Sequence, residues 1–113
     1  MHELSLSRNM VGIIESEAAI HRFGRVTRVR LQIGALSCVA PEALSFCFDA
    51  ATRGTVAEGA ILEILSVPGS AWCRDCDAAV PIGQFGDPCP RCHGYSLRIQ
   101  AGDEIRIKDL EVQ

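Results

Sequence analysis

Apolar residues between positions 3 and 23 recur at the spacing of a helix. Leu4, Leu6, Met10, Val11, Ile13, Ile14, Ala18, Ala19, Ile20 and Phe23 form the stripe, and Arg8, Glu15 and Ser16 are left toward water, so one long amphipathic helix is predicted. Gly24 is its expected stop. From Arg25 to Ile33 the period becomes two: Thr27, Val29, Leu31 and Ile33 share one face, and Arg28, Arg30 and Gln32 the other, which predicts a half-buried strand. A loop spans Gly34 to Ala40, and Pro41 and Glu42 suit a first helical turn. Leu44 and Phe48 pair at i, i+4 in the shorter helix that follows, and Gly54 marks its end. Ile61 to Val67 reads as a strand that begins after a turn at Gly59 and is interrupted by Pro68-Gly69.

From Trp72 to about Tyr95 periodicity fades and Cys, Pro, Gly and Asp dominate. Regular pattern returns with Leu97 and Ile99, then Ile105 and Ile107 across the Ala101-Gly102-Asp103 turn, and its phase slips before Leu110 and Val112, which suggests a bulge or a twist. The expected architecture is α+β: two helices packed on a small sheet, residues 1–71 plus 97–113, with an inserted four-cysteine subdomain over 72–96.

Composition narrows the setting. The chain of 113 residues is 48% hydrophobic with a net charge of -3, enough for one core and too apolar for disorder. No run reaches the roughly 18 apolar residues of a membrane helix, and Glu3, Arg8, Glu15 and Glu17 break up any signal-peptide core, so a cytoplasmic protein with no membrane partner is expected. His21, Arg22, Arg25, Arg28 and Arg30 form the one basic stretch, readable as a solvated strand face or as a docking surface for an acidic partner. The cysteine insert sets Arg74 and Arg91 against Asp75, Asp77 and Asp87, a sum of -1, which argues against nucleic acid.

Six cysteines in a reducing compartment favour metal over disulfides, and four of them form two matched pairs, Cys73-Arg-Asp-Cys76 and Cys89-Pro-Arg-Cys92. Two intervening residues let both sulfurs of a turn face one ion, and two such turns close a tetrahedron of thiolates. Four protein ligands leave no open position, so a zinc there is structural. Iron fits the same cage as in a rubredoxin-like electron carrier, and Cys89 to His93 contains the C-x-x-C-H of haem attachment, although haem would leave Cys73 and Cys76 unexplained. Cys38 and Cys47 have apolar neighbours and read as small buried hydrophobes. At the chain start, Met1-His2-Glu3 combines a terminal amine, a backbone nitrogen and an imidazole that can close two chelate rings around Ni(II) or Cu(II), with a carboxylate alongside.

Met1-His2-Glu3 opening a helix, Gly34 to Pro41 leading into Glu42-Ala-Leu-Ser-Phe-Cys-Phe-Asp49, Gly54-Thr55, Glu58-Gly-Ala60 with Leu62, and the two Cys-x-x-Cys pairs together resemble the HypA/HybF family, over essentially the whole chain. The resemblance implies a nickel metallochaperone for maturation of [NiFe] hydrogenase, not an enzyme. It implies a nickel-binding domain and a zinc-ribbon-like domain, with His2 as the essential nickel ligand, Met1 and Glu3 beside it, and Cys73, Cys76, Cys89 and Cys92 on zinc. Some relatives bring an acid toward nickel from the loop before the second helix; here Ala40 stands in that loop and Glu42 is the nearest acid. The implied partners are a maturation GTPase and the hydrogenase large subunit, and a homodimer is left open. The competing reading is a zinc-ribbon adaptor that binds nucleic acid or a protein machine, with His2 incidental.

Overall fold

The computed structural model describes residues 2–113, the side chain of His2 excepted. Its elements are α1 (His2–His21), β1 (Val26–Gly34), a 3-10 turn (Ala35–Ser37), α2 (Pro41–Ala51), β2 (Ile61–Val67), β3 (Ser70–Cys73), β4 (Ala78–Pro81), β5 (Leu97–Ala101) and β6 (Ile105–Val112). The strands form two three-stranded sheets, ordered β2-β1-β6 and β4-β3-β5. The chain condenses into two compact units, one of residues up to Leu31, Val39–Ile64 and Ile107–Gln113, the other of Gln32–Cys38 and Leu65–Arg106. The unit that holds the cysteine pairs is therefore wider than residues 72–96, because three strands and Leu36 share its core.

In the first unit α1 packs on α2. Met10, Ile14 and Ala18, at i, i+4 and i+8, are the buried stripe of α1, and Leu44 and Phe48 that of α2. Full burial of Phe48 is worth about 2–3 kcal/mol. Ile13 and Ile20 stand outside that stripe and are exposed. Ser7 takes a buried place instead, its hydroxyl satisfied by donating to the Glu3 carbonyl at 2.8 Å. Helix α1 ends before Gly24: Arg22 itself adopts the left-handed conformation, φ 57°, that closes a helix. At the other helix, Ala40 is the N-cap and Pro41 opens the first turn, where its missing N–H costs nothing.

The basic stretch is largely neutralised from within. Arg28 meets Glu63 at 2.9 Å and Glu111 at 3.5 Å, and Arg30 meets Asp109 at 2.8 Å. Arg106 donates to Gln32 at 2.7 Å. Along β1 these partners step by two, whereas along β6 they step by three between Arg106 and Asp109 and then by two to Glu111. The Gly34 N–H donates to the Glu104 carbonyl and the Gln113 N–H to the Arg25 carbonyl, nine residues apart on either strand, so the two strands keep equal length between these bonds and the change of step belongs to the side chains.

In the second unit β3 pairs antiparallel with β4, Cys73 opposite Ala78, and with β5, Cys73 opposite Leu97. Leu36, Ala71, Val80 and Ile82 form its core together with Cys73 and Cys89. Three glycines let backbones meet beneath this sheet. A Cβ on Gly34 would overlap the Gly102 carbonyl, and one on Gly69 the Ile82 carbonyl; one on Gly102 would lie 2.6 Å from the Gly69 Cα. The Leu36 N–H donates to the Gly102 oxygen at 2.8 Å, so that carbonyl cannot move away without losing its bond. Gly34→Ala should therefore destabilise the chain by about 3 kcal/mol. In α1, a Cβ on Gly12 meets nothing within 4 Å, and Gly12→Ala should stabilise by about 1 kcal/mol through helix propensity. Denaturant unfolding of both variants checks the contrast.

Candidate metal centre

The two cysteine pairs arrive on different local structures. Cys73 ends β3, and the turn to Cys76 closes through Asp77, which takes a left-handed φ of 52° before β4 begins. The second pair has no strand to hold it. Instead the Cys89 N–H donates to the Gly94 carbonyl and the His93 N–H to the Cys89 carbonyl, both at 2.8 Å, with His93 left-handed at φ 63°. Each turn is therefore a tight backbone knuckle that presents its sulfurs to one side.

These knuckles bring all four sulfurs within 4.8 Å of one another. Cys73 Sγ lies 3.7 Å from Cys92 Sγ, and Cys76 Sγ 3.9 Å from Cys89 Sγ. A tetrahedron with zinc–sulfur bonds of 2.3 Å has edges of roughly 3.8 Å, so the thiols already stand at the vertices that zinc requires. Backbone donors complete the cage: the Cys76 N–H points at Cys73 Sγ and the Arg91 N–H at Cys89 Sγ, each at 3.4 Å. All six cysteines are free of disulfides. Cys73 and Cys89 are buried, Cys76 is half-buried and Cys92 is exposed, so the cage has a core side and a solvent side.

The environment divides the thiols by acidity. Hydrogen bonding with Cys92, and then burial, pushes Cys76 up to about 12. The backbone N–H of Cys92, joined by that of Arg91, pulls Cys89 down to about 7 in spite of its burial. The donor set thus has one ready thiolate and a neighbour that keeps its proton until a cation displaces it. An ion bound by Cys73, Cys76, Cys89 and Cys92 would replace these shared protons and fasten both knuckles to the sheet.

Cys38 and Cys47 are not the buried hydrophobes their neighbours suggest. Cys38 is exposed and left-handed, φ 61°, at the end of the 3-10 turn, and Cys47 is half-buried on α2. Backbone position on the turn and on α2 leaves both outside the buried cores, a choice that neighbouring residue types do not encode.

At the other candidate site, Met1 lies outside the described residues and so does the His2 side chain, while the His2 backbone opens α1. Glu3 is in the first turn of α1, and its Oε2 accepts from the Ala40 N–H at 3.3 Å. The loop residue that lacks an acidic side chain thus contributes a backbone donor to the Glu3 carboxylate, beside the positive end of α2. Residue types could not reveal this contact, because every residue except proline carries the same N–H.

The sequence matches the family described as "Hydrogenase/urease nickel incorporation, metallochaperone, hypA" over residues 1–112. It is 51% identical over 113 residues to a hydrogenase maturation factor HypA of Azotobacter chroococcum mcd 1, covering 100% of each chain. It is 52% identical over 112 residues to the factor of the same name in Rhodopseudomonas palustris strain BisB5, covering 99% of each. Among solved structures, it is similar to the solution structure of a HypA protein with a TM-score of 0.74 at 25% identity, covering 100% of this chain and 97% of that one. The solution structure of the Ni metallochaperone HypA from Helicobacter pylori shares the fold with a TM-score of 0.71 at 24% identity, over 97% of this chain and 96% of that one. Carrying a cysteine quartet spaced for zinc and a match that spans it and the chain start alike, this chain belongs to the HypA family of hydrogenase/urease nickel-incorporation metallochaperones.

Proposed function

We propose that this chain takes up Ni(II) through Met1, His2 and Glu3 and hands it to a [NiFe] hydrogenase during maturation, while zinc in the Cys73, Cys76, Cys89 and Cys92 cage serves folding. The observation that carries the reading is the family match, which runs from residue 1 and so includes the His2-Glu3 start. The nickel ligands belong to the first unit and the cage to the second, so cargo and structural metal draw on disjoint donors.

The division has a chemical reason. Four thiolates, two of which, Cys73 and Cys89, also form part of a hydrophobic core, hold an ion too firmly to give it up. A chain start is different: protonation of an imidazole or amine, or contact with an acceptor, dismantles a chelate there without unfolding anything. Glu3, held by the Ala40 N–H, gives that start a fixed carboxylate next to the mobile cargo. The protein acts without catalytic turnover, in the cytoplasm, with a maturation GTPase and the hydrogenase large subunit as partners.

A strain that lacks this chain should lose [NiFe] hydrogenase activity and regain most of it when the medium carries excess nickel, because mass action then replaces delivery. Loss that nickel cannot restore would point to the adaptor reading instead.

A further inference from the structure

The sheet ordered β4-β3-β5 has two faces of opposite character. Ala71 and Cys73 of β3, Val80 of β4, and Leu97 and Ile99 of β5 pack into the core, so the residues between them along each strand face the other way. On that outer face Trp72 is paired with Ala79 on one side and with Arg98 on the other. Pairing runs one residue past β3, because the Arg74 N–H donates to the Ser96 carbonyl at 3.0 Å, and this sets Arg74 on the same face two positions from Trp72. Arg74, Ala79 and Arg98 are exposed and Trp72 is half-buried.

The arginines Arg28 and Arg30 of β1 are matched by Glu63, Asp109 and Glu111, whereas Arg74 and Arg98 meet no carboxylate among the described residues. With Arg74 across from Ser96, Arg98 is its diagonal neighbour, about 7–8 Å away at Cα and within reach of long side chains, so the two guanidiniums repel one another. An anion between them turns that repulsion into attraction, and a guanidinium fork can donate to a carboxylate twice. We propose that this face docks an extended acidic segment of a partner protein, with a carboxylate between Arg74 and Arg98 and an apolar side chain on the Trp72 ring. Ala79 carries only a methyl group and leaves the ring open on its side. An extended chain turns alternate residues to one side at a spacing of about 6.8 Å, which is also the separation of Trp72 and Arg74 along their strand, so the segment carries its apolar residue and its acid at i and i+2. The charge sum keeps the acidic run short. Over residues 70–101 Arg74, Arg91 and Arg98 balance Asp75, Asp77 and Asp87, and an occupied cage of four thiolates adds about -2. A polyanion such as nucleic acid is thus repelled by the unit as a whole, while a single carboxylate meets chiefly the two cations beside it. The proposal stands independently of the metal carried as cargo.

Trp72 is the one tryptophan of the chain, so its fluorescence reports on this face directly. The test titrates the zinc-loaded full chain with an eight-residue peptide, capped at both ends, of serines around a central Leu-Ser-Glu. Emission should shift to shorter wavelength and saturate below about 10 mM, the range of a single anchored contact. Replacing the peptide glutamate by glutamine, or combining Arg74→Gln with Arg98→Gln, should weaken binding at least about tenfold with zinc content unchanged. Arg98→Lys keeps the charge and loses the fork, and its affinity should fall between the two. Should the double variant hold less zinc, Arg98→Gln alone, on the face away from the core, must show the loss. No shift up to that concentration, equal binding of the glutamine peptide, unaltered affinity in Arg98→Gln, or tighter binding of an oligothymidylate of the same length would each overturn the docking face. So would a shift produced by raising the protein concentration alone, since a second copy would then be the occupant.

Discussion

Blocking the start of the chain should abolish nickel binding and leave zinc untouched. Acetylation, or a short N-terminal extension, removes the free amine of Met1; His2→Ala removes the imidazole. If both groups close chelate rings on one ion, either change should weaken nickel binding by at least about 100-fold, since loss of a mere outer partner of a metal ligand already costs 10–100-fold. Zinc content should stay at its unmodified level, because its ligands lie elsewhere in the chain. Binding should also fail as pH falls through the ordinary imidazole range near about 6.5, where protons compete for the ring nitrogen. Glu3 allows a finer cut. Glu3→Gln keeps an oxygen for the Ala40 N–H and loses the charge, whereas Glu3→Ala loses both, so a larger effect of alanine would measure the positioning contact. Nickel titration followed by calorimetry checks each variant. Equal binding by tagged and untagged protein would sink the terminal chelate, and full binding by His2→Ala would remove nickel from this end of the chain.

Removing two cage thiols, Cys73 and Cys89, should empty the zinc site and unfold the second unit while the helices of the first keep most of their far-UV signal. Structural zinc in small sites supplies about 10–16 kcal/mol of apparent binding energy, far more than a small sheet can replace by packing. The cysteines are not equivalent. Cys89 is buried in the core with Leu36 and Val80, whereas Cys92 is exposed. In metal-free protein Cys89→Ala should therefore cost about 1 kcal/mol more than Cys92→Ala, although both lose zinc. Acidity adds a pH signature to the metal-free fold. The Cys89 thiol is lowered from 9.0 to about 7, so its contribution is complete above pH 9 and lost as pH falls through 7. The Cys76 thiol is raised from 9.0 to about 12, so its contribution is complete below pH 9 and lost as pH rises toward 12. Stability of the metal-free unit should thus peak near pH 9, and zinc loading should release protons. A full zinc complement in the double variant would refute the cage assignment.

How much of this was legible in the residues depends on whether the signal was periodic. Helix α1, strand β1 and helix α2 announce themselves through repeats of 3.6 and 2 that span nine or more residues, and their observed limits lie within a few residues of the pattern. The stop of α1 falls just before Gly24, at Arg22, whose left-handed backbone the residue type does not announce as a glycine would. Strands β3 and β4 were hidden: four residues each, with Cys73 serving both as a strand residue and as a candidate ligand, leave no period to detect. The convergence of four sulfurs was readable because spacing alone constrains it. The exposure of Cys38 and the Ala40 donor were not, since both are decided by backbone conformation rather than by side-chain type.

The interleaving of the two units has a kinetic consequence. The first unit is completed by residues 107–113 and the second by β5 and the turn up to Arg106, so each waits for segments made long after those they close on. At about 5–20 residues per second, both remain open for seconds after β1 has been made, and β1 is held without its β6 neighbour throughout. Contacts between segments so distant along the chain make folding slow relative to a helical bundle of the same length. The thiols of the nascent chain therefore stay accessible to the cellular zinc pool until β5 and β6 have been made.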